Sequence, residues 1–92
     1  MVNGSVRATG DTALRARIRK VLKVHARLSR DPERLSEHDD LYEAGMSPHA
    51  SVNVMLALEN EFDMEFPEQM LHPAVFDSIG TIASAIAQLE TG

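Results

Sequence analysis

Three apolar stripes recur at the spacing of an α-helix, and no segment alternates apolar and polar residues as a half-buried strand would. Leu14, Ile18, Val21, Leu22, His25 and Leu28 form the first stripe. Val52, Met55, Leu56, Leu58 and Phe62 form the second, with Glu59 at its edge. Ile79, Ile82, Ala83, Ile86 and Leu89 form the third. The pattern predicts an all-α protein with long helices over 12–29, 48–62 and 78–89. Each helix has a start signal. Asp11 or Thr12 is placed to cap the first, and Asp77 or Ser78 the last. Ser47-Pro48 opens the second, because serine accepts a first-turn N–H and proline suits the first helical position.

The segments between the stripes complete the plan. "MVNGSVRATG" has two glycines and no apolar period, which predicts a flexible leader over 1–10 and a folded domain over 11–92. Asp31-Pro32 starts a turn, since the residue before proline avoids the α region. A long connection follows, with Leu35, Leu41 and Tyr42 as expected apolar pins. A structureless loop of that length is uncommon in a compact domain, so it should carry function or contain a helical turn. Pro67 and Pro73 bracket a short helix over 67–71. The expected architecture is a small antiparallel four-helix bundle, with three long helices, one short helix and a long first loop.

The chain has 92 residues, 43% of them apolar, which suffices for one small core. Aromatic rings are few, so aliphatic and methionine side chains must fill it. Without cysteine, neither disulfides nor thiolate metal sites are open to it. His25, His38, His49 and His72 lack metal-ligand spacing. Charge is unevenly placed: residues 1–30 carry +7 and residues 31–92 carry −12. An acidic body favours docking on basic partners over reading nucleic acid. Arg15, Arg19, Lys20, Lys23 and Arg27 lie mostly off the first stripe and read as a solvated face. No residues are arranged as a nucleophile, base and orienting group, so the chain does not read as an enzyme.

Four segments, "DDLYEAGM" (39–46), "SVNVMLALENEF" (51–62), "FDMEFPEQ" (62–69) and "FDSIGTIASAI" (76–86), resemble the acyl carrier protein family in order and spacing. The wording "ASVNVMLALE…FDMEFP" also resembles stand-alone carriers loaded with amino acids by ligases related to aminoacyl-tRNA synthetases. The resemblance implies an acyl or aminoacyl carrier. Such a protein holds a thioester-linked group on a 4'-phosphopantetheine arm, derived from coenzyme A, and presents it to partner enzymes. It implies as partners a phosphopantetheinyl transferase, an acyl- or aminoacyl-loading ligase and a downstream transferase. Neither nucleic acid nor membrane is expected as a partner, and the protein is expected to be a cytoplasmic monomer.

The family's attachment serine falls on Pro48, which has no hydroxyl. Ser47, one residue earlier, is the first candidate for the arm, and Ser51, about one turn further on, is the second. A carrier-like module that is never loaded is the alternative. By the same resemblance Met46, His49, Leu56, Glu59 and Glu61 are expected to flank the arm or touch partners.

Overall fold

A computed structural model describes the backbone over residues 2–91 and the side chains over 12–90. Three α-helices, α1 (Val2–His25), α2 (Pro48–Phe62) and α3 (Ile79–Thr91), are joined by loops holding short 3-10 turns, with no strand among the described residues. The expected leader over 1–10 lies outside the described side chains. Helix α1 does not begin at Asp11 or Thr12 but at Val2. Once a packed segment has nucleated a helix, each further residue adds a hydrogen bond, and no proline stands upstream to stop it.

Helix α1 also ends earlier than its stripe suggests, at His25 rather than Ser29. Arg27 adopts a left-handed conformation (φ 56°), which turns the chain out of the helix. Ser29 is thereby freed to donate its N–H to the Ala44 carbonyl at 2.9 Å. Its hydroxyl donates to the same oxygen at 2.8 Å. Two ends of the long loop are thus fastened together.

The loop is ordered by such ties. It contains a 3-10 turn, Pro32–Arg34, capped by the Asp31 carboxylate. Leu35 and Leu41 are buried as expected, and Tyr42 packs against the core while its hydroxyl donates to the Pro73 carbonyl at 3.0 Å. Leu41 N–H donates to Asp77 O at 2.7 Å, and Gly80 N–H to Glu37 O at 2.8 Å. A Cβ on Gly80 would lie 3.2 Å from that Glu37 oxygen, so the loop approaches α3 where the helix is narrowest.

The core is aliphatic. Ile18, Leu22, Leu41, Leu58, Ile82 and Ile86 are fully buried at its centre. Phe66 and Phe76 meet edge to face with centroids 5.2 Å apart, a favoured aromatic geometry. Of the two candidate caps for α3, Ser78 serves: Thr81 N–H donates to its hydroxyl at 3.1 Å. The short helix expected over 67–71 is replaced by two 3-10 turns, Glu68–Met70 and Pro73–Phe76. Pro73 holds His72 extended (φ −121°, ψ 147°), which ends the first turn before it can lengthen.

Candidate functional site

Gly45 sets the approach to α2. It sits at φ 120°, and a Cβ there would lie 3.0 Å from Ser29 N, so glycine is required both by conformation and by space. Met46 then turns inward and is 2% exposed. It is a core residue, which corrects its expected place on the partner surface. Its N–H donates to Leu41 O at 3.0 Å, fixing the chain just before the helix.

Ser47 is the N-cap of α2, in extended conformation, and its Oγ accepts from Ala50 N–H at 3.0 Å. Pro48 occupies the first turn, where its missing donor is no loss. Ser47, Pro48 and His49 are all exposed, whereas Ala50 turns into the core. Ser51 is half-buried, and its hydroxyl donates to Pro48 O at 2.7 Å. Two hydroxyls therefore stand on either side of Pro48. Ser47 is the more open and lies at the positive end of the helix. Beside them a groove of about 220 Å³ is lined by Pro48, Ser51, Val52, Met55, Leu71 and Phe76, among others.

The face of α2 differs from the expected stripe. Ala50, Val54 and Leu58, at i, i+4 and i+8, are its buried residues. Val52 and Leu56, read from the sequence as core, are 49% and 53% exposed. Leu56 thus stands on the surface, where a partner can reach it, and Val52 joins it one turn away. Glu59 is instead engaged in the fold: its Oε2 accepts from Phe66 N–H at 2.9 Å, which ties the chain after α2 back onto the helix. Glu61 is exposed but bound, since Arg17 Nε donates to its Oε2 at 2.9 Å. Arg17 also donates to the Glu61 carbonyl at 2.7 Å and lies 4.2 Å from the Phe62 ring centroid.

The basic helix is similarly committed in part. Arg15 Nε donates to Glu37 Oε1 at 2.7 Å, and this hydrogen bond, with the guanidinium charge behind it, holds the Glu37 carboxyl below the usual carboxylate range. Arg19 donates to the carbonyls of Pro32 and Leu35. No group of three or more potential metal ligands occurs among the described residues. Nor is any described helix long and apolar enough to cross a membrane.

The site is thus an exposed helix start, delivered by a fixed loop and set beside an outward apolar face. Residues 12–88 match the family model for the phosphopantetheine attachment site, so the chain belongs to that family of carrier proteins. Among curated proteins it is 35% identical to an aminoacyl carrier protein of Agrobacterium fabrum, over 86% of this chain and 95% of the relative. Among solved structures it resembles a chain in the crystal structure of an engineered Bradyrhizobium japonicum glycine:[carrier protein] ligase complexed with carrier protein from Agrobacterium tumefaciens and AMP. That match has a TM-score of 0.77 and 37% identity, and covers 79% of this chain and 97% of the other. A solution structure from Agrobacterium tumefaciens matches with a TM-score of 0.67 and 36% identity, over 85% and 94% of the two chains.

Proposed function

We propose that the chain is an aminoacyl carrier whose phosphopantetheine arm is attached to Ser47. The observation that carries this reading is the exposed Ser47 hydroxyl at the α2 N-cap, one residue before the family's attachment position. Pro48 itself does not fit the group, because its side chain offers no hydroxyl. Ser47 fits it: the hydroxyl is open, and the helix's positive end favours a phosphate placed there. The arm supplies the terminal thiol for the thioester, which suits a chain with no cysteine. The protein's own work is to hold and present the cargo, and it catalyses nothing. The likeness to an aminoacyl carrier protein and to a carrier–ligase complex supports amino acids as cargo and a ligase as the loading enzyme. A phosphopantetheinyl transferase would install the arm from coenzyme A, and a downstream transferase would collect the cargo. The domain is taken as 11–92, in keeping with a family match that begins at residue 12. A monomer acting in the cytoplasm, bound to neither membrane nor nucleic acid, completes the reading.

Intact mass after incubation with coenzyme A and a broad phosphopantetheinyl transferase tests it. The expected result is a gain of one arm, lost in Ser47→Ala and retained in Ser51→Ala. Pro48 favours one second reading, an unloaded module that keeps the fold and occupies a carrier-recognising enzyme. No gain in the native chain, with a gain in Pro48→Ser, would select that reading instead.

A further inference from the structure

Arg27 stands just past the end of α1 in a left-handed conformation (φ 56°), at a position that glycine commonly takes. A residue with a side chain is strained there. The helix dipole does not account for it, because Lys23 and His25 already supply basic groups in the last turn. Arg27 is exposed, and no ion pair engages it among the described residues. The other arginines near it are committed. Arg15, Arg17 and Arg19 are bound within the fold, and Arg30 lies 3.8 Å from an Asp39 carboxylate oxygen.

The fold brings this free cation to the start of α2. Helices α1 and α2 run antiparallel: Arg17 meets Glu61 at one end, and further along His25 and Asn53 line a common groove. The end of α1 therefore lies beside the beginning of α2. A Cβ on Gly45 would sit 3.6 Å from the Arg27 carbonyl oxygen. Ser47 follows Gly45 by two residues, at most about 7 Å of chain. A long, exposed side chain on Arg27 can span to a phosphate on Ser47. Charge makes the pairing useful. Residues 31–92 carry −12, and their one basic side chain is Arg34, in the Pro32–Arg34 turn. A phosphodiester at Ser47 would add another negative charge to that body, so its counter-charge has to come from the α1 side. Lys20 lies seven residues before Arg27, about 10 Å back along the helix.

We infer, resting on the attachment to Ser47, that Arg27 binds the phosphodiester through which the arm is held. A guanidinium offers paired N–H donors that match phosphate oxygens, so it fixes direction as well as charge. The contact draws the root of the arm toward α1. It leaves open the groove of Val52, Met55 and Leu71.

Phosphorus-31 NMR and thermal unfolding of the loaded and unloaded chain test this. Intact mass first establishes loading. No arm on the native chain, or an arm retained in Ser47→Ala, overturns the attachment and the Arg27 contact together. With the arm on Ser47, the phosphodiester resonance should move in Arg27→Gln and stay in place in Lys20→Gln, which removes the same charge. Loading should raise the unfolding midpoint of the native chain by a few degrees. Arg27→Gln should lose at least half of that gain, and Arg27→Lys should recover part of it. Arg27→Gly separates this role from a structural one. Relief of the left-handed strain should raise the midpoint of the unloaded chain, while the gain on loading is lost. A loaded chain with the same phosphorus resonance and the same gain in the native and Arg27→Gln forms would overturn the Arg27 contact alone. An equal loss in Lys20→Gln would do so too, since it would reduce the effect to net charge.

Discussion

At the residue scale, the site turns on one position with two duties. Ser47 caps α2 and is the proposed attachment point, and the two duties separate by substitution. Ser47→Ala removes the hydroxyl that Ala50 N–H donates to, and should cost about 1 kcal/mol of unfolding free energy. Ser47→Asp keeps a capping oxygen and should retain native stability while still gaining no arm by mass. A Ser47→Asp protein that is loaded would remove Ser47 from the site. The cap was legible in the sequence because Ser-Pro before an apolar run has a local cause. The inward turn of Met46 was not legible, because it depends on Gly45 at φ 120° and on a loop contact with Ser29. Gly45→Ala should therefore destabilise by about 1–3 kcal/mol in chemical unfolding, since strain in backbone and space add.

At the scale of the element, the bounds of α2 follow from the sequence but its orientation does not. Val52, Val54, Met55, Leu56, Ala57 and Leu58 surround much of the helix with apolar residues. A period of 3.6 then fits more than one choice of buried face. The choice is made by the loop that delivers α2 and by α1, which Arg17 clamps to the helix end through Glu61 and Phe62. The two faces predict opposite outcomes for the same chemical change. Leu58→Ala leaves a cavity in a fully buried site and should cost about 2–5 kcal/mol. Leu56→Ala should change stability by no more than about 0.5 kcal/mol, because the side chain is already in water. Urea unfolding of both variants checks the assignment. Equal losses would return Leu56 to the core and remove it from the partner surface. The short fourth helix was misread for a related reason. Two prolines mark where helices stop, but not whether the residues between them find α or 3-10 hydrogen bonds.

For the whole molecule, the uneven charge visible in the sequence becomes a set of ties across the fold. The +7 segment does not stand apart as a basic arm. Arg15 and Arg17 reach the acidic part at Glu37 and Glu61, and Arg19 reaches the loop carbonyls. Composition could give the sign of each part, but only the packing of the long loop against α1 and α3 gives the pairs. Glu37 joins both, since its carboxylate meets Arg15 and its carbonyl accepts from Gly80. Its depressed proton affinity in the folded state fixes the direction of a pH dependence. The unfolded chain binds a proton at Glu37 more readily, so stability rises with pH across that range. The contribution is fully present above the ordinary glutamate pKa and disappears as pH falls through the lowered value. The pair is solvent-exposed, so the effect should be modest and should shrink with added salt. Glu37→Gln keeps the backbone tie to Gly80 and removes the carboxylate, and with it both the titration and the ion pair with Arg15. Its unfolding free energy, measured in urea over a series of acidic pH values, should fall less steeply with acidification than that of the native chain. Parallel slopes for the two proteins would show that Arg15 and Glu37 are neighbours without being an energetically coupled pair.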